Sequence, residues 1–118
     1  MKSVVFIPSI CKGDEALFSG EVELRLPTFD EKFEYLEKTG IEFDDGGLVE
    51  VGTTPNKIKF IREIVKLSEK HYIRVSLKDL NSNEEFKSFE DLQYCTEAHP
   101  LLMEVATALL NGFKLGNG

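Results

Sequence analysis

The chain has 118 residues, 42% of them hydrophobic and 30% charged, with a formal net charge of −7. That length suits one domain with its own core, and the composition excludes intrinsic disorder. The acidic balance disfavours capture of nucleic acid or an anionic membrane by the molecule as a whole, and no apolar run approaches the roughly 20 residues of a membrane span.

Residues 4–7 read as a short apolar strand stopped by Pro8, and residues 16–26 as a longer one. In the second, Val22, Leu24 and Leu26 alternate with Glu21, Glu23 and Arg25, the period of a strand with one wet face. The two are expected to pair across a turn at residues 11–15. The first 20 residues include Lys12, Asp14 and Glu15 and hold no sustained apolar stretch, so no secretory signal is visible. A cytoplasmic location follows, with Cys11 and Cys95 as free thiols.

Thr28 and Glu31 have capping-box spacing, and the helix they open places Phe29, Phe33 and Leu36 on one face before Gly40 ends it. Residues 41–52 pass through Asp44-Asp45-Gly46-Gly47, a loop between two short β-prone pieces. Thr54-Pro55 starts a second helix. Its polar stripe is Lys59, Arg62, Glu63, Lys66 and Lys70, and its apolar side carries Ile58, Phe60, Ile61, Ile64, Val65 and Leu67. From Tyr72 to Leu80 the period returns to two, Asn81-Ser82-Asn83 makes a turn, and Phe86 lies on a return strand. Ser88 caps a short helix, and a last helix runs from about Pro100 to Asn111. The expected architecture is a single α+β domain in the order β-β-α-α-β-β-α-α.

No nucleophile elbow, phosphate-binding glycine loop, dinucleotide fingerprint or zinc-protease motif occurs. His71 at a helix end and His99 before Pro100 read as structural, and the abundant carboxylates fall on solvent-facing helix positions. No catalytic residue, cofactor or metal is therefore expected. Asp79, Asn81, Asn83, Glu85 and Glu90 have the spacing of an EF-hand loop. Glu84, however, stands where such a loop needs glycine, and hairpin chemistry accounts for the same residues.

Charge alternates along the chain: residues 28–50 hold eight acids and two lysines, and residues 53–78 hold seven bases and two acids. Such a pattern suits self-association or internal complementarity. Lys59, Arg62 and Lys66 then form a solvated face or a contact for an acidic protein surface, a second copy included, with a nucleic-acid backbone the least favoured reading because no other basic or aromatic cluster joins them. The last helix has one narrow polar stripe, Glu104, Thr107 and Asn111, in an otherwise apolar surface. Its apolar arc is roughly twice the ~100° that a surface helix offers. The expected division puts Leu102, Val105 and Leu109 inward and leaves Leu101, Ala108 and Phe113 for a partner, with full burial of the helix as the alternative.

Ser88-Phe-Glu-Asp-Leu92, the run from Leu101 to Leu110 and the segment from Asn111 to Gly116 resemble tail assembly chaperones of long-tailed bacteriophages. The β-rich start ahead of a helical body agrees in general layout. The resemblance implies a non-enzymatic, homo-oligomeric factor in the bacterial host cytoplasm that binds the tape measure protein, keeps it soluble and recruits tail tube subunits. Such proteins are often made in a short and a frameshifted longer form, and an end at Gly116-Asn-Gly118 suits the short one. Other readings left open are a structural tail or connector protein retained in the virion, and a small cytosolic protein-binding adaptor.

Overall fold

Alternation at period two builds an antiparallel sheet in the computed structural model, which describes residues 2–39 and 54–111. The strands β1 (Ser3–Phe6), β2 (Phe18–Arg25), β3 (Tyr72–Asp79) and β4 (Glu85–Phe86) lie in the order β1-β2-β3-β4. Helices α1 (Phe29–Thr39) and α2 (Thr54–Ser68) fall between β2 and β3, and α3 (Phe89–Gln93) and α4 (His99–Asn111) follow β4. The element order is the one expected, and β1 pairs with β2 as expected. The expected loop at residues 41–52, the helix stop at Gly40 and the residue Phe113 lie outside the described residues.

Val22 faces Val75 across the central ladder, and these side chains with Leu24, Leu77 and Phe86 are buried on the inner face. On the outer face Arg74 lies 3.8 Å from Glu21 and 3.6 Å from Glu23. Gly20 has φ +122°, and a Cβ there would sit 1.9 Å from the Ser76 carbonyl oxygen, so this close approach of β2 and β3 requires glycine. At the hairpin, the Asp79 Oδ1 accepts from the amides of Asn81 (2.7 Å) and Ser82 (3.1 Å), and Asn83 adopts φ +63°.

The caps expected at Thr28 and Ser88 form. Glu31 N donates to Thr28 Oγ1 at 3.2 Å while Thr28 N donates to Glu31 Oε1 at 3.0 Å. Asp91 N donates to Ser88 Oγ at 3.2 Å, and the Asp91 carboxylate accepts from Lys87 N at 2.9 Å. The cap at Thr28 sets the phase of α1, and that phase corrects one expectation. Phe29 is 76% exposed with its ring against Phe33, while Tyr35 and Leu36 turn inward. In α2, Phe60 and Ile64 are buried as expected, but Ile58 is exposed.

The last helix is the centre of the fold. Leu101, Leu102, Val105 and Leu109 join Phe18, Val22, Leu24, Val75, Leu77 and Leu92 in a cluster against the sheet. Ala106 and Leu110 join Tyr35, Leu36, Phe60 and Ile64 in a second cluster against α1 and α2. Two facing layers thus take up the wide apolar arc. The assignment of Leu101 to a partner surface is corrected: it is fully buried, and Ala108 is half-buried. Leu102, Val105 and Leu109 are inward as expected. Each buried leucine contributes about 1.5–3 kcal/mol by leaving water. Glu104, on the polar stripe, accepts from Ser9 N at 2.8 Å and from the Ser9 hydroxyl, which fastens the 3-10 turn Ser9–Cys11 to α4. Among the described residues no helix is long and apolar enough to cross a membrane.

Candidate functional site

A polar constellation lies where the end of β2, the start of α1 and the 3-10 turn Glu69–His71 meet. Residue 71 ends that turn just before β3, and its imidazole is fully buried. Its Nδ1 lies 2.7 Å from the Arg25 carbonyl oxygen and its Nε2 2.7 Å from the Tyr35 hydroxyl. A carbonyl oxygen only accepts, so Nδ1 carries the proton. In the neutral ring Nε2 is then the acceptor, and Tyr35 donates to it. Burial holds His71 below the ordinary imidazole range, which favours this neutral form.

Glu31 anchors the other side. Arg25 grips its carboxylate with two parallel bonds, Nη1 to Oε1 at 2.8 Å and Nη2 to Oε2 at 2.9 Å. The Arg25 guanidinium and the Thr28 amide hold the Glu31 carboxyl well below the usual carboxylate range. Lys70 adds a longer ion pair at 3.7 Å and stands 5.0 Å above the Tyr35 ring. Tyr35 O lies 3.3 Å from Glu31 Oε2, and burial raises the phenol above its ordinary range.

This cluster joins three elements, with its polar atoms turned toward one another. Among the described residues the imidazole's hydrogen-bond partners are the Tyr35 hydroxyl and the Arg25 carbonyl, neither a serine nor a cysteine. The arrangement is a clasp that ties α1 to the sheet, in keeping with the structural reading of His71. His99, exposed, has Nε2 3.0 Å from the Gln93 carbonyl oxygen and braces the start of α4. Two surface hollows of about 480 and 310 Å³ lie elsewhere, along β3, and share Arg74, Val75 and Lys87. Beside the second, the Tyr72 hydroxyl is buried without a hydrogen-bond partner among the described residues, and burial raises its pKa. Among the described residues no group of three or more His, Cys, Asp or Glu side chains is placed to hold a metal ion. Both cysteines are free and partly buried, and burial pushes both thiols up.

The residues expected to meet partners divide in two. Leu101 belongs to the core, Ala108 is half-buried, and Phe113 lies outside the described residues. Lys59, Arg62 and Lys66 lie together on the exposed face of α2, and none forms an ion pair within the described residues. Ile58, one turn before Arg62, is exposed beside them. Sequence reasoning missed the clasp; its one local signal was Tyr35 on the inward phase of α1. Comparison with protein-family models, with curated proteins and with solved structures finds no match to this chain.

Proposed function

We propose that this chain is a non-enzymatic tail assembly chaperone of the long-tailed phage type. In the bacterial host cytoplasm it binds the tape measure protein, keeps it soluble and brings tail tube subunits to it. The resemblance of residues 88–116 supplies the class. The observation that carries the binding role is the outer face of α2. Lys59, Arg62 and Lys66 follow at i, i+3 and i+7, exposed and unpaired among the described residues, on a chain of net charge −7. With Ile58 beside them, they suit a helix that flanks an apolar stripe with acids. Copies repeated along one long partner gain avidity from weak single contacts. The clasp and α4 serve the fold and leave α2 as the working surface.

The test is affinity purification of the tagged chain from cells making tails, with mass spectrometry of the finished particles alongside. The tape measure protein co-purifies with the chain, and the finished particles lack the chain. A chain found in stoichiometric amounts in purified virions is instead a structural tail component.

A further inference from the structure

We infer that β1 is the seam of a symmetric dimer, in which two copies join their sheets edge to edge with Val5 on the two-fold axis. The inference stands apart from the assembly role and uses none of the residues assigned to it.

The ladder decides which backbone groups β1 leaves open. Leu26 N donates to Lys2 O at 2.9 Å, and Ser3 faces Arg25 and Val4 faces Leu24. Antiparallel pairs alternate between bonded and non-bonded. Residues 2, 4 and 6 therefore spend their amides on β2, Ser3 and Val5 aim theirs at the other edge, and the same alternation carried one residue past β1 reaches Ile7. Among the described residues no strand pairs with that edge. Exposed edges are ordinarily blunted by charge, proline or a bulge. Residues 3–7 carry no charge and no proline, and the β1–β2 register runs without a shift. Val5 and Ile7 are 48% and 49% exposed. The open stretch of β3 is different: Arg74 and Lys78 flank it, and Phe89 packs its ring 5.0 Å from Tyr72 beside it.

A second copy fits because the open groups are self-complementary. A two-fold axis through Val5 sets Val5 against Val5 of the second copy and Ser3 against its Ile7. All three outward residues then become bonded pairs, which forms about six hydrogen bonds between the copies. On the inner face the half-buried Val4 meets Phe6 of the second copy, and each covers what the other exposes. Charge permits the approach despite the net acidity. Glu23, opposite Val5 on β2, lies three strand spacings from its symmetry mate, roughly 14 Å, beyond the screening length of about 8 Å at physiological salt.

Sedimentation equilibrium of the full chain over a concentration series tests this, with Val5→Lys beside the wild type. The wild type dimerises, and Val5→Lys, folded by circular dichroism because its side chain faces water, stays at the single-chain mass. With Cys11→Ala and Cys95→Ala as background, mild oxidation cross-links Val5→Cys to itself and leaves Ser3→Cys uncross-linked. A wild type that remains monomeric overturns the inference, as does a dimer that survives Val5→Lys. Self-cross-linking of Ser3→Cys but not of Val5→Cys overturns the register.

Discussion

The Tyr35 hydroxyl lies 2.7 Å from Nε2 of His71, a buried contact between residues 36 apart in the chain. It joins α1 to the turn that launches β3, and the opposite ring nitrogen carries the tie on to β2 through the Arg25 carbonyl. Tyr35→Phe keeps the ring and removes the hydroxyl, leaving a buried imidazole nitrogen without its donor. The expected loss is about 1–3 kcal/mol in urea denaturation, with the m-value unchanged.

The same cluster sets the acid limb of stability. His71 is held below its ordinary value of 6.5, so the unfolded chain binds the proton more readily. Its destabilising effect is absent above about pH 6.5 and grows as pH falls through that value. Glu31, whose pKa is lowered from 4.5, stabilises the fold above that value and loses this contribution as pH falls below it. Denaturation midpoints should therefore fall in two stages on acidification. In His71→Asn the first stage, which sets in as pH falls through about 6.5, disappears and the second remains.

Leu101 distinguishes a core helix from a binding helix. Leu101→Ala should cost about 2–5 kcal/mol, as a fully buried leucine in a packed core does. Met103→Ala, at a partly exposed position of the same helix, should cost under about 1 kcal/mol. Thermal melts of the two variants decide the matter, and equal losses would contradict the burial described here.

Gly20→Ala places a methyl group 1.9 Å from the Ser76 carbonyl oxygen at a positive φ. Backbone must move to admit it, and β2 and β3 are the centre of the sheet. The expected loss is about 3 kcal/mol or more, read by chemical denaturation. Gly13→Ala has open space around the new methyl and only the φ of +80° to oppose it, so it should cost less.

What was legible in the sequence is what short-range physics writes there. The alternation of Val22 and Leu24 with Glu21 and Glu23, the caps at Thr28 and Ser88 and the turn at Asn83 each depend on neighbours a few residues away. The breadth of the apolar arc on α4 was legible too, but not what covers it. Leu101 and Leu110 face different layers, and only the packing of α1, α2 and the sheet around the helix assigns them. The clasp was illegible for a related reason. His71 meets Arg25 and Tyr35 across 46 and 36 residues, and no periodicity links such positions. Phe29 shows the opposite case, a residue with helical spacing to Phe33 that falls one turn beyond the core.

The binding role assigned to α2 is tested most directly by co-expressing the chain with the tape measure protein and measuring how much of that protein stays soluble. The wild-type chain should keep it in solution, and Lys59→Glu with Arg62→Glu and Lys66→Glu should lose that effect while folding normally, since all three side chains are exposed. A charge-reversed chain that solubilises the partner as well as the wild type does would contradict the account.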